Sequence, residues 1–302
     1  MKKIVKKKSL LAALAVAPLV ALLAGCAGAS TDGPATGTDG DVIKIGVVGA
    51  SDPYWDVYTE AAAAAGIEIE IVNFAQYPQV NPALAAGEVD LNQFQHIVYL
   101  AEYNEASNEN LAPIGATAIY PIALYSTEYS DVDDIVAGDT VAVPDDDSNQ
   151  ARALVLLQSE GLIELTDGGT IYSGLDDIDE EASKVKVKAL EASLTLASLP
   201  DVAAAVINND FAEKGGLKFS DAIATDDAAD SKALPYANIF AARDEDKNNE
   251  TFLKLVEIYQ NTQDVQDGVF AVSGDTAVML TTPVADLIES LADIQAEIKD
   301  AE

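Results

Sequence analysis

The sequence predicts an α/β protein with two lobes, each built on a mixed, mainly parallel sheet flanked by helices, and a ligand cleft between the lobes. Three observations support this prediction. Short β-branched runs alternate with helical segments, the pattern of βαβ units. The alternation stops at a long extended stretch and then begins again, and two helical segments end the chain. Ligands of such sheets bind beyond the carboxyl ends of strands, so the residues that follow each strand are the candidate site.

The first βα cluster begins after residue 41. "VIKIGVV" is a buried strand that ends before Gly49, "YWDVYTEAAAAAG" a helix closed by Gly66, and "IEIEIVNF" a second strand. "VNPALAAGEVD" begins as a helix with Pro82 near its first turn. "LNQFQHIVYLAEYNEAS" begins extended and continues as a helix. These alternations predict a first, mainly parallel sheet.

The second cluster follows the extended stretch "LAPIGATAIYPIALYS", in which Pro121 interrupts any single strand. "DTVAVPDD" is the next strand and "SNQARALVLLQSEG" the next helix, and strands follow in "DVAAAVINNDFA" and "LPYANIFAAR". "ETFLKLVEIYQ" and "PVADLIESLADIQAEIKDA" are the terminal helices. We expect residues 42–125 and 240–302 to form the first lobe and residues 126–239 the second.

The N-terminal segment predicts the location. A lysine-rich start precedes an apolar run at 10–23, which is too short to cross a bilayer comfortably and is typical of a secretory signal. It ends in "LLAGC", where Cys26 is the only cysteine. The ending resembles a bacterial lipoprotein signal of residues 1–25, with Cys26 lipidated and residues 26–41 as a flexible tether. The alternative is an unmodified thiol near a cleavage site.

Composition excludes several classes of function. The chain has 51 Asp and Glu against 17 Lys and Arg, a net charge of −34, which argues against nucleic-acid binding. One histidine and one cysteine cannot build a zinc site. A hydrolase would need a nucleophile beside an imidazole, yet His96 is the sole histidine and no "GxSxG" occurs. We therefore expect no enzyme, no metal and no cofactor.

The stretch "VPDDDSNQARAL" is a candidate carboxylate site. Ser148 or Asn149 is expected to cap the helix that carries Arg152, so that free backbone N–H groups and a guanidinium lie together. Two alternatives remain open at this point. Arg152 could be an ordinary surface residue, or the acidic run at 145–147 could be its ion-pair partner.

An aromatic group forms a second candidate. Phe94 and His96 share one face of an extended segment, and Tyr99 lies three residues further on, within reach if a helix begins there. With Tyr77 they would form an apolar slot with a few polar groups, as small-molecule sites do. The aromatic residues could equally belong to the core, and His96 could be a structural residue bonded to the backbone.

Two strand ends carry asparagine. Asn208 and Asn209 follow the strand in "AAAVINNDFA", and Asn238 lies in "PYANIFAAR". An amide supplies both a donor and an acceptor, which suits an ammonium and a carboxylate group together. Asparagine at a strand end is also an ordinary turn former.

Five stretches occur in the order seen in the NlpA family, the substrate-binding lipoproteins of methionine ABC importers: "YPQVNPALAAGEVDLNQFQH", "YPIALYS", "VAVPDDDSNQARALVLLQSEGLIEL", "AAAVINNDFA" and "PYANIFAAR". The chain therefore resembles that family over nearly all of its exported part. The resemblance implies a type II periplasmic-binding-protein fold that closes on free methionine. It also implies delivery to an ABC permease with a cytoplasmic ATPase. A binding protein for another amino acid or short peptide is the alternative, and an anchored extracellular hydrolase is a more distant one.

The resemblance also implies the pocket, whose family positions fall on Tyr77, Phe94, His96, Tyr99, Asn149, Arg152, Asn208 and Asn238. In that picture Arg152 binds the α-carboxylate, while Asn208 and Asn238 hold the polar end of the amino acid. The aromatic residues enclose the thioether through sulfur–aromatic contacts.

Overall fold

The computed structural model describes residues 42–228 and 233–301. The predicted signal segment, Cys26 and the tether to residue 41 lie outside the described residues. Within the described ranges, no helix combines the length and apolar composition needed to cross a membrane.

The described chain folds into alternating strands and helices. The strands are β1 (Ile43–Val48), β2 (Ile69–Phe74), β3 (Leu91–His96), β4 (Leu111–Ala116), β5 (Ala118–Ile119), β6 (Ala123–Tyr125), β7 (Thr140–Pro144), β8 (Lys186–Leu190), β9 (Ala204–Ile207), β10 (Ala224–Thr225), β11 (Asn238–Arg243) and β12 (Val278–Met279). The helices are α1 (Tyr54–Ala64), α2 (Val80–Ala85), α3 (Ile97–Ser107), α4 (Asp147–Ser159), α5 (Ala192–Ser198), α6 (Asn209–Ala212), α7 (Glu250–Asn261), α8 (Gln263–Val272) and α9 (Val284–Ala301).

Two five-stranded mixed sheets organise the molecule, which confirms the predicted α/β class. The first sheet has the order β2-β1-β3-β11-β4 and the second the order β10-β6-β9-β7-β8. In each sheet three neighbouring strands are parallel, β2-β1-β3 and β9-β7-β8. The next strand, β11 in the first sheet and β6 in the second, runs antiparallel to them. The edge strand beyond it, β4 or β10, is antiparallel to that strand and therefore runs in the direction of the parallel three. Strands β12 and β5 form a small antiparallel pair.

The chain passes between the sheets twice. The break at Pro121 separates β5 from β6, and β6 already belongs to the second sheet. The chain returns to the first sheet at Asn238. Residues 123–125 thus belong to the second sheet and residues 238–239 to the first. The division of the chain into lobes remains a prediction.

The first cluster of elements follows the sequence prediction closely. "LNQFQH" is the fully buried strand β3, and the helix α3 begins at the next residue, Ile97. Gly66 closes the turn after α1 with a φ of +82°, a conformation that favours glycine. The sequence reasoning missed β8 with α5, and it missed the helix α8.

Buried apolar side chains pack against both faces of the first sheet. On one face α1, α7 and α8 enclose aromatic residues that include Trp55, Tyr58 and Tyr259. A separate apolar cluster contains Val48 and Phe94 from the first sheet together with Ala142 and Ile207 from the second. The two sheets are therefore joined by apolar packing near the carboxyl ends of their parallel strands.

Candidate functional site

A cavity of about 420 Å³ of empty space lies where the parallel strands of both sheets end. All eight residues expected from the sequence line it: Tyr77, Phe94, His96, Tyr99, Asn149, Arg152, Asn208 and Asn238. Tyr77 follows β2 and His96 ends β3, whereas Asn208 follows β9 in the second sheet. The structure thus brings the predicted residues together, while their role in binding remains a proposal.

Three aromatic rings form one wall of the cavity. Phe94 and Tyr99 meet edge to face with ring centroids 5.6 Å apart, and Tyr77 lies 5.8 Å from Phe94 and 6.1 Å from Tyr99. Phe211, from the second sheet's side, adds a ring 5.1 Å from Tyr77. Tyr77 and Phe94 are buried, yet both reach the cavity surface. The rings are therefore both core residues and an apolar wall, so the two sequence alternatives are compatible.

His96 joins the two sides of the cavity through its ring. Its Nδ1 accepts a hydrogen bond from the Tyr99 backbone N–H at 3.2 Å and so caps helix α3. Nδ1 is therefore unprotonated, and Nε2 carries the hydrogen that faces Asn149 Oδ1 at 3.4 Å. Burial, and then the charge of Arg152, lower the pKa of His96 to about 3. The imidazole is a neutral, fixed donor.

An amide chain continues from Asn149 into the second sheet's side of the cavity. Asn208 Nδ2 donates to Asn149 Oδ1 at 2.9 Å, and Asn149 Nδ2 donates to Asp146 Oδ1 at 2.7 Å. Two buried oxygens of this chain, Asn208 Oδ1 and Asp146 Oδ2, have no hydrogen-bond partner among the described residues. A buried acceptor without a donor is costly. Of these two residues only Asn208 lines the cavity, so its Oδ1 is suited to a donor supplied there.

Arg152 also lines the cavity, is buried, and is held by three contacts. Its Nε donates to Asp226 Oδ2 at 2.6 Å, its Nη2 donates to the Tyr120 carbonyl at 2.8 Å, and its Cζ lies 4.4 Å from the centroid of the Tyr236 ring. Nη1 hydrogen-bonds to none of the described residues. One guanidinium nitrogen thus remains for an anionic group in the cavity.

The structure corrects two expectations about Arg152 and its helix. Asp226, 74 residues away in sequence, is its ion-pair partner, rather than any residue of the acidic run at 145–147. Asp146, rather than Ser148 or Asn149, caps α4, and its carboxylate accepts from the Asn149 backbone N–H at 3.0 Å. The cap lies at Asp146 because the chain before α4 is extended through this residue.

Six residues of the lining are not among the eight predicted ones. Gln95, Tyr120, Pro121, Ile122, Asn209 and Asp210 complete the lining. Asp210 accepts a hydrogen bond from the Tyr77 hydroxyl at 2.8 Å. Asn209 stands beside Asn208 at the predicted strand end, and both line the cavity. Asp210 comes next, so the strand-end rule could have included it as well. Tyr120 and Ile122 flank a proline within a long extended run, where no local pattern marks a site.

Carboxyl groups are packed closely around the cavity. Burial, and then the charges of Asp146 and Asp147, raise the pKa of Glu102 to about 8. Burial raises the pKa of Asp210 to about 6, and burial together with Asp210 raises that of Asp52 to about 7. Glu102 also accepts a hydrogen bond from the Ser148 backbone N–H at 3.1 Å. Among the described residues, no cluster of His, Cys, Asp or Glu is arranged to hold a metal ion.

The sequence profile described as NlpA lipoprotein matches residues 43–274. The chain belongs to the NlpA lipoprotein family. Outer membrane lipoprotein 1 of Mannheimia haemolytica is 38% identical over 239 residues, which cover 75% of this chain and 84% of that protein. The D-methionine-binding lipoprotein MetQ of Salmonella typhi is 37% identical over 230 residues, 74% of this chain and 83% of that protein.

A solved structure extends the likeness of this NlpA lipoprotein to the fold. A nutrient-binding protein from Burkholderia cenocepacia bound to methionine superimposes with a TM-score of 0.73 and 35% identity. The match covers 79% of this chain and 99% of the solved one. The two-lobed substrate-binding-protein fold expected from the sequence is therefore confirmed.

Proposed function

We propose that this NlpA lipoprotein is the extracytoplasmic, lipid-anchored solute-binding component of an ABC importer, and that its ligand is methionine. Cys26 carries the lipid anchor, and an ABC permease with its cytoplasmic ATPase receives the ligand. The proposal follows from the cavity's chemistry and from the printed names of relatives, which include D-methionine-binding lipoproteins. Another amino acid or a short peptide is the alternative ligand.

One observation carries the proposal. A guanidinium nitrogen of Arg152 and the buried Oδ1 of Asn208, both without partners among the described residues, share one cavity with the rings of Tyr77, Phe94 and Tyr99. Arg152 Nη1 suits an α-carboxylate, Asn208 Oδ1 suits an α-ammonium, and the rings suit an apolar thioether side chain. Asn238 lines the same cavity and supplies a further amide.

The same geometry supports binding rather than catalysis. The sole imidazole is buried and neutral, and its ring nitrogens contact a backbone N–H and an amide oxygen rather than a nucleophile. A hydrolytic site would need a hydroxyl or thiol in hydrogen-bond reach of that base. We infer that the protein is not an enzyme.

The mechanism we propose is closure around the ligand. The Tyr77 hydroxyl to Asp210, His96 to Asn149 and the Ser148 N–H to Glu102 each connect residues of the first sheet's side to residues of the second's. Ligand that contacts both sides favours the state in which these bonds are made, and it can do so only through its higher affinity for that state.

A thermal-shift screen of the chain starting after Cys26 tests the function. The panel contains the common L-amino acids, D-methionine and short methionine peptides. Methionine at about 100 times its Kd is expected to stabilise the protein by roughly 2.7 kcal/mol, or about 5 to 10 °C. Small-angle scattering on the same samples is expected to show a smaller radius of gyration.

Arg152→Ala removes the proposed carboxylate-binding residue. Lys247→Ala, which breaks an exposed ion pair, is the control. The first is expected to abolish the shift and the second to preserve it. A shift with another solute alone would replace the ligand. No shift with any solute, from folded protein free of carried-over ligand, would contradict the proposal.

A further inference from the structure

We infer that Asp226 is a positioning residue for the ligand carboxylate: together with Tyr236 and the Tyr120 carbonyl it fixes the Arg152 guanidinium and leaves Nη1 for the ligand. The inference rests on the proposed function and extends it to a residue outside the cavity lining. Asp226 is not among the residues that line the cavity. It therefore acts through Arg152 rather than by contact with the ligand.

Asp226 is itself anchored, so it can impose an orientation. Its Oδ1 accepts a hydrogen bond from the Ile122 backbone N–H at 2.8 Å, and its own backbone N–H donates to the Ile122 carbonyl at 3.2 Å. Its Oδ2 then receives the Arg152 Nε hydrogen at 2.6 Å. Both carboxylate oxygens are therefore engaged, one by backbone and the other by the guanidinium.

The remaining contacts complete a holder for the guanidinium. The Tyr120 carbonyl accepts from Nη2 at 2.8 Å, and the Tyr236 ring lies under the guanidinium plane with Cζ 4.4 Å from its centroid. Tyr120 and Ile122 both belong to the short segment that crosses from the first sheet to the second. The arginine is thus fixed to the crossing segment by contacts within the protein.

A fixed arginine changes the cost of binding. A free arginine would lose side-chain freedom when it binds a carboxylate, whereas a held one has already lost it. The Arg152 and Asp226 side chains are exposed by only 7% and 24%, so the ion pair is largely shielded from solvent. The carboxylate of Asp226 also offsets the positive charge of Arg152. Arg152 then binds an anion mainly through a directed hydrogen bond and less through its net charge.

Arginine side-chain NMR makes the positioning directly measurable, because the chain has only two arginines, Arg152 and Arg243. Each Nε–H gives one signal, and Arg152→Lys assigns the pair. Arg243 is the internal control, since its Nε donates to Asp246 rather than to Asp226. Asp226→Ala is expected to move only the Arg152 signal, toward the position and rapid exchange of a solvated arginine.

Calorimetry with methionine is the second measurement. Asp226→Ala is expected to weaken methionine binding by roughly fivefold to tenfold, with no further loss when combined with Arg152→Lys. Asp226→Asn keeps the side-chain size and guards against loss of folding; we expect it to change both readouts less than Asp226→Ala does. Glu257→Ala, which removes one carboxylate of an exposed ion pair, is expected to change neither.

The outcomes separate this inference from the proposed function. Wild-type protein that does not bind methionine would contradict the proposed function, and the NMR signal would still decide whether Asp226 holds Arg152. An Arg152 signal unchanged in both Asp226 variants would overturn the inference. Methionine affinity that is unchanged or higher in Asp226→Ala would also overturn it, because Asp226 would then be neutral toward the ligand or compete with it.

Discussion

His96 has two contacts of different kind, one within its own helix and one across the cavity. Its Nδ1 caps α3, and its Nε2 faces Asn149 on the other side. Because burial and Arg152 lower its pKa to about 3, the ring stays neutral through the whole range in which the protein would be studied. The structural and the pocket interpretation of His96 are therefore compatible. Nδ1 makes the structural contact with the backbone, and Nε2 makes the contact across the cavity.

Substitution can separate the two contacts. His96→Asn supplies another capping side chain but cannot reach Asn149 in the same way, whereas His96→Ala loses both contacts. We expect His96→Ala to lower the free energy of unfolding by about 1 kcal/mol and His96→Asn to lower it less. Both are expected to weaken methionine binding. Urea denaturation and calorimetry check this, and an unchanged affinity in both variants would limit His96 to a structural role.

The two arginines show how little a residue type says about its role. Arg243 is also buried, but Asp246 and the carbonyls of Leu84 and Val89 engage its nitrogens, which leaves it structural. Arg152 keeps one nitrogen for the cavity. The chain has only these two arginines, and their neighbours in space separate their roles.

Helix α8 shows how element packing overrides local propensity. Gly268 lies inside it, where glycine disfavours a helix by about 1 kcal/mol relative to alanine. A Cβ at this position would lie 2.6 Å from the Cβ of Tyr54 in α1. The glycine therefore permits close approach of the two helices, and Val265 and Val269 of α8 are fully buried.

Gly268→Ala is consequently expected to destabilise the protein despite its better helix propensity. The obstacle is a Cβ rather than a flexible side-chain end, so we expect a net loss of about 1–2 kcal/mol in the free energy of unfolding. Urea denaturation checks this. Gly174→Ala, where the nearest atom beyond its neighbours is 3.9 Å from the added Cβ, is the control and is expected to stay within about 0.5 kcal/mol. A stabilised Gly268→Ala variant would contradict the packing argument.

At the scale of the whole molecule, the cavity concentrates acid groups that the two sides bring together. The pKa of Glu102 is raised to about 8, that of Asp52 to about 7, and those of Asp146 and Asp210 to about 6, with burial the largest cause in each case. The folded protein therefore holds protons that the unfolded chain releases at lower pH. Stability contributed by these groups is present at acidic pH and is lost as pH rises through the folded pKa values.

The direction in which stability changes with pH is clearest between pH 6.5 and 8.5. His96, whose lowered pKa makes stability rise with pH, acts only between about pH 3 and 6.5, below this window. Glu102 and Asp52 remain, and both make stability fall as pH rises. We expect the melting temperature at saturating methionine, which keeps the contacts across the cavity made, to fall from pH 6.5 to 8.5.

Glu102→Gln tests the assignment because the amide keeps an acceptor for the Ser148 N–H and removes the titration. We expect this variant to show a shallower fall in melting temperature over the same pH window. Glu257→Gln, at an exposed ion pair, is expected to keep the wild-type slope. An identical slope in Glu102→Gln and wild type would show that other groups cause the pH dependence.

The sequence by itself determined the order of most elements, because hydrophobic periodicity and glycine or proline breaks are local properties. Helix α8 was missed because Gly268 disfavours a helix locally, and the half-exposed edge strand β8, which no prediction covered, appeared only in the structure. The strand-end rule, together with the family resemblance, also selected eight residues that the structure gathers around one cavity.

Only the tertiary structure decided how those residues are held. Asp226 meets Arg152 across 74 positions of sequence, and Tyr236 and the Tyr120 carbonyl reach the same guanidinium from two further segments. No periodicity encodes such contacts, because they depend on where two sheets and a crossing segment converge. The sequence therefore predicted eight of the side chains that reach the cavity, and the packing of the two sheets decided which others join them and which of their atoms remain available there.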